Sequence, residues 1–147
     1  MGVTDVELEE FVQQFRLAVD EFAKGNPEPT KALFSHTDEV TLANPFGPIA
    51  KGWDEVSDAL SYASSRFRDG KVTTIDHIAE YASGELACLL DREHWQATVG
   101  ESQDKATFTL RVTTTLRHED GRWRIVHRHA DPIAMFDPSG PMRASTG

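Results

Sequence analysis

Near the end of the chain His127, His129 and Asp131 alternate along one short run. In an extended strand such residues share a face, and His-x-His-x-Asp has the residue types that bind a metal or move protons. Two histidines two residues apart share a ligand only if their rings lean together and a third group completes the shell. No other histidine forms a partner motif, so we expect these rings to stack behind a sheet, bonded to backbone or acids, with no metal. His129 and Asp131, beside Pro132, are candidate general acids or bases at a pocket mouth, and His94 is the third candidate proton carrier. Asn44, ahead of Pro45, either caps a turn or offers its amide to a substrate carbonyl. Trp53 is read first as a helix anchor and second as a stacking platform. Cys88 sits in the apolar run Leu86-Ala87-Cys88-Leu89-Leu90 and reads as packing, not as a nucleophile. The sequence has no glycine-rich phosphate loop, no Gly-x-Ser-x-Gly, no His-Glu-x-x-His and no dinucleotide fingerprint, so no cofactor is expected.

The elements that must position these residues change character halfway along the chain. Leu8, Phe11, Phe15, Val19 and Phe22 have helical spacing, with Thr4 and Glu7 at capping-box separation and a stop at Gly25-Asn26-Pro27. A short helix over 29–34, a strand over 39–43 and a third helix carrying Val56, Leu60, Ala63 and Phe67 follow, the last stopping before Asp69-Gly70. Residues 71–81, 86–99, 106–118 and 123–130 read as a meander of long antiparallel strands. This order is an α+β arrangement, a strongly curved sheet wrapped around a long N-terminal helix and two shorter ones. Such a cone has an apolar interior suited to a small molecule. On the run from Phe108, the residues Phe108, Leu110, Val112 and Leu116 share one face, which should point into the cone; Arg111, Thr113, Thr115 and Arg117 take the other. We expect one domain over 1–136 and a loose tail over 137–147, rich in Pro, Gly and Ser.

Composition narrows the partners. The 147 residues carry 24 acidic and 15 basic side chains, a formal charge of −9, which repels a phosphate backbone. One cysteine permits neither an internal disulfide nor a multi-cysteine zinc site. The N-terminus lacks a basic and apolar leader, and no apolar stretch approaches membrane-spanning length, so the expected setting is cytoplasmic, with neither nucleic acid nor membrane as partner.

The element order, Asn44-Pro45-Phe46-Gly47 before Gly52-Trp53-Asp54-Glu55-Val56, and the ending from Asp120-Gly121-Arg122-Trp123 to Ala130-Asp131-Pro132 resemble the NTF2-like superfamily, most closely its SnoaL-like and ketosteroid-isomerase-like proteins. The resemblance spans roughly residues 8–132 and implies the cone and a homodimer. It also permits a test. Ketosteroid isomerases need a carboxylate base and an oxyanion hole built from a Tyr and a protonated Asp. Here Asn44 stands at the base and Phe15 at the oxyanion Tyr, while Thr113 to Thr115 offer no acid near the third position. Isomerisation of that type is not expected.

The resemblance further implies that Leu90, Arg92 and His94, and on the last strand Val126, Arg128 and Ala130, face inward, with Trp123, Ile125, His127 and His129 behind the sheet; a bulge would reverse part of this. Arg92, His94 and Arg128 would then converge on a pocket lined by Phe15, Phe46, Leu90, Phe108 and Leu110, suited to a carboxylate or aromatic metabolite. The competing and commoner fate is pairing of the arginines with Asp91, Glu93 or Asp131 at the rim or in a dimer interface. Three functions remain open: a binding domain without catalysis, a cofactor-independent isomerase, cyclase or dehydratase using His94, His129 or Asp131, and a dimerisation module.

Overall fold

The computed structural model describes residues 5–133. Helix α1 (Asp5–Ala23) and the short α2 (Glu28–Leu33) precede β1 (Thr41–Ala43), β2 (Ala50–Lys51) and helix α3 (Trp53–Ser65). Four long strands follow: β3 (Phe67–Ser83), β4 (Leu86–Val99), β5 (Lys105–Glu119) and β6 (Arg122–Pro132). They form one six-stranded sheet in the order β2-β1-β6-β5-β4-β3. β1 runs parallel to β6, and every other pair is antiparallel. The expected helices and meander are present. Thr4 and the 137–147 tail lie outside the described residues.

The strand expected over 39–43 begins at Thr41 and β2 was not expected, while two differences at the α3–β3 junction share one reason. Phe67 opens β3 rather than closing α3, and Asp69-Gly70 is an irregularity within that strand rather than a stop. Here the strand crosses the end of α1 so closely that a Cβ on Gly70 would lie 2.4 Å from the Ala23 carbonyl oxygen and 2.8 Å from the Ala97 Cβ. The glycine allows close approach without breaking the ladder.

Curvature comes from bulges. The β3/β4 register shifts at three places along β3, and the β5/β6 register shifts between Thr115 and Leu116. Bulged strands bend and twist more strongly. The sheet thereby wraps the apolar stripe of α1, and Leu8, Phe11, Phe15 and Val19 are all buried against it. The Asp20 carboxylate accepts the Val72 amide at 3.0 Å and ties the helix to β3. Thr30 and Ser64 donate to the Ala18 and Phe22 carbonyls and fix the shorter helices to α1. No described helix is long and apolar enough to cross a membrane.

Which face each strand turns to α1 decides the site. On β5 the expectation holds: Leu110, Val112 and Leu116 are buried and Phe108 is half-buried. Ladder partners share a face, and β5 pairs Phe108 with Trp95, Leu110 with Glu93 and Val112 with Asp91. The inner residues of β4 are therefore Ala87, Leu89, Asp91, Glu93, Trp95 and Ala97, all buried. Leu90, Arg92 and His94 face outward, a correction to the parity the resemblance implied. On β6 the partners jump from Thr115–His127 to Leu116–Ile125, which leaves Val126 as the extra residue. The bulge lets Trp123 and Ile125 turn inward along with Arg128 and Ala130, and all four are buried. Trp123, Ile125 and Val126 are thus corrected, while Arg128 and Ala130 lie where expected.

Candidate functional site

The inside of the cone holds a buried ion pair. Arg128 Nη1 and Nη2 donate to Glu93 Oε2 and Oε1 at 3.0 and 2.9 Å, a two-pronged geometry that only a guanidinium supplies. Trp95 Nε1 donates a further bond to Glu93 Oε1 at 3.1 Å. From the helix side the Phe15 ring lies under the guanidinium, with Arg128 Cζ 5.2 Å from its centroid, a cation–π contact in a desolvated setting. Glu93 is fully buried and Arg128 nearly so. Each charge has its counter-charge and its hydrogen bonds, as burial requires.

Arg128 also borders a cleft lined by Val19, Phe22, Asn44, Phe46, Phe67, Trp95 and Leu110 among others. Its aromatic wall is continuous. Phe46 meets Phe67 edge-on at 5.4 Å, Phe67 packs on Trp95 at 4.9 Å, and Phe108 stacks behind both. The free volume is about 40 Å³, enough for water and well short of a metabolite. Phe46 occupies a turn, not a helix or strand, so it is the wall residue able to move with least disturbance to the core. Asn44 shapes that turn, its Oδ1 accepting the Phe46 amide at 2.9 Å, which leaves the side-chain NH2 to donate elsewhere. The Thr30 hydroxyl, also in the lining, donates to the Ala18 carbonyl. Among the described lining residues, Asn44 and Arg128 keep side-chain N–H donors beyond the bonds given above.

The other anticipated residues lie elsewhere. Trp53 stacks on His36 at 3.8 Å and packs on Phe34, anchoring the start of α3. On the outer face Asp76, Arg92, Arg111 and Asp131 stand in one row across β3 to β6. Arg111 donates twice to Asp131 at 3.1 Å, and Arg92 Nε lies 3.4 Å from Asp76. His94 bonds Asp76 at 2.8 Å and Thr109 at 3.2 Å. The His94 bond, foremost, holds the Asp76 carboxyl below its ordinary range. Leu90, Arg111, Thr113, His129 and Asp131 border an open depression of about 260 Å³ on this face. His127 bonds Thr41 at 2.8 Å, and its ring centre is 6.4 Å from that of His129. Burial, then the neighbouring His129, lowers the His127 imidazole, against the bond with Thr41. Among the described residues no three His, Cys, Asp or Glu side chains gather to hold a metal.

The expected convergence of Arg92, His94 and Arg128 does not occur: Arg128 alone is inside, and Glu93 neutralises it. Sequence reasoning named Glu93 as an arginine partner but placed that pairing at the rim or an interface, and it missed Trp95. The signal lay in pairing β4 against the apolar face of β5, which was read correctly.

The cone, its helix order and the parallel β1–β6 contact define the NTF2-like fold. The chain overlays an NTF2-like superfamily protein from Salmonella enterica serovar Typhimurium with a TM-score of 0.74 at 19% identity, covering 92% of this chain and 95% of that one. A ketosteroid isomerase-like protein from Erwinia carotovora gives 0.72 at 16% identity, covering 88% and 96%. Residues 9–135 match the SnoaL-like domain, and the chain belongs to that family. No functionally curated protein matches it.

Proposed function

We propose that this domain binds a small, largely apolar molecule bearing a neutral acceptor oxygen, held in the cone against Arg128 and Asn44. The observation that carries this reading is the pairing of Arg128 with Glu93 inside an aromatic cleft. Because Glu93 already balances the guanidinium, a bound carboxylate would add an uncompensated buried charge, which is unfavourable. A carbonyl or hydroxyl oxygen can instead accept the remaining N–H donors without changing the net charge. This replaces the anionic ligand expected from the sequence. Admission requires the turn at residues 44–49 to swing Phe46 outward, since a free volume of about 40 Å³ is too small for such a molecule.

Three probes of one shape test the reading by calorimetry: acetophenone, ethylbenzene and benzoate. Acetophenone is expected to bind tightest. Asn44→Asp keeps the oxygen that accepts the Phe46 amide and removes the NH2 donors, and it weakens acetophenone by roughly 3- to 10-fold, the worth of one hydrogen bond. Equal affinity for all three probes, or a preference for benzoate, contradicts the reading.

A second role belongs to the outer face, whose row of paired charges and open depression suit contact with another copy of the chain. Size-exclusion chromatography with light scattering is expected to give a dimer. The acid–base roles of His94, His129 and Asp131 are tested by His94→Gln, His129→Gln and Asp131→Asn in a turnover screen, where unchanged rates remove them.

A further inference from the structure

Two carboxylates are buried on the inner side of β4, Asp91 at 5% exposure and Glu93 at 0%, and one guanidinium serves them. Arg128 gives both terminal nitrogens to Glu93. Asp91 has another partner. Its Oδ1 lies 2.7 Å from Nδ1 of His77, its ladder partner on β3. The His77 ring is 37% exposed, and its Nε2 lies 3.6 Å from the Glu80 carboxylate. β3 is an edge strand, and its register shifts between His77 and Ala79. A bulge at an edge re-aims a side chain, and here the ring spans the distance from solvent to a buried acid.

Two buried carboxylates against one guanidinium leave one negative charge uncompensated, and a single proton on either His77 or Asp91 cancels it. We propose that His77 and Asp91 form an acid–base pair that holds one exchangeable proton in the wall of the cone and passes it between solvent and the interior. An imidazole is suited to this because one ring nitrogen can take a proton while the other releases one. Solvent and Glu80 meet the Nε2 side, and Asp91 meets Nδ1. The charges acting on the Asp91 carboxyl come from His77 on β3, Glu93 on β4 and Arg128 on β6, while β5 presents Val112 opposite it. Burial, the largest influence, raises this carboxyl; the His77 bond opposes the rise, Glu93 adds to it and Arg128 reduces it. The pair stands on its own geometry, whereas its use on a bound molecule rests on the function proposed above.

The test follows the side-chain carboxyl carbon of Asp91 by NMR against pH, in the full chain labelled at aspartate. His77→Gln is expected to raise the Asp91 midpoint by about one pH unit or more, and Glu80→Gln to move it far less. Asp91→Asn gives a second reading on the folded chain, since the His77 ring signals then lose the step they share with Asp91. An Asp91 midpoint unmoved by His77→Gln, or His77 signals unmoved by Asp91→Asn, overturns the pair. The interior half is read with 4-nitrophenol, whose colour reports its ionisation: Asp91→Asn is expected to change the ionised fraction of bound probe about threefold at fixed pH. No change overturns proton exchange with the interior. A probe that does not bind while the coupled titration persists overturns the ligand site and the pair's use on a ligand, leaving the pair itself intact.

Discussion

The two faces of the sheet use the same charged residue types to different effect. Inside, Glu93 and Arg128 are both buried, the guanidinium over the Phe15 ring and the carboxylate bonded to Trp95. Outside, Arg111 and Asp131 form an equally two-pronged pair, yet Arg111 is 64% exposed. In water such a pair is worth little. Within the cone each partner depends on the other, because removal of one leaves a desolvated charge. Geometry alike and burial unlike: burial decides which pair matters.

The sharpest break in this comparison is Arg128→Met, which strands Glu93 and should cost about 3–5 kcal/mol in urea unfolding. The double change Arg128→Leu with Glu93→Met should recover most of that loss, because the buried charges leave together. A single-variant loss below about 1 kcal/mol would place the pair with surface bridges.

Of intermediate size is the response to pH, which should run in opposite directions on the two faces. Burial raises the Asp91 carboxyl above 3.8, so its contribution is full below that value and is lost as pH rises through the raised one. Burial lowers the His127 imidazole beneath 6.5, so its contribution is present above that value and is lost as pH falls through the lowered one. Chemical denaturation across pH should show both slopes, with Asp91→Asn flattening the first and His127→Gln the second. A slope that survives its own variant belongs to another group.

The smallest effect is expected at Arg111→Ala, below about 1 kcal/mol and screened further by salt. A larger loss, dependent on protein concentration, would mean that this pair is buried against a second copy.

The fold was legible because its signals are local and repeated. The helical spacing of Leu8 to Phe22, the strand runs over 71–130 and the apolar alternation of Phe108 to Leu116 each point to one arrangement. The site was half legible. Of the residues named from the sequence, Phe46, Leu110 and Arg128 line the cleft and Phe15 lies against Arg128. Arg92, His94 and Leu90 do not, because an acidic Asp91-x-Glu93 pattern looks like a solvent face until its counter-charge from β6 is placed across the barrel of side chains. Such a counter-charge, 35 residues away in sequence, leaves no local trace. Bulges add a second difficulty, since the extra Val126 reverses the face of Trp123 and Ile125 while leaving Arg128 and Ala130 as expected.

The central claim is that the cone, not the outer depression, receives a neutral acceptor-bearing molecule at Arg128. Heteronuclear NMR of the full chain titrated with acetophenone tests it most directly. Saturable shifts of the Trp95 indole and Arg128 guanidinium signals are expected, with His129 and Arg111 unmoved. Shifts confined to His129 and Arg111, or none at Trp95 and Arg128, would contradict it.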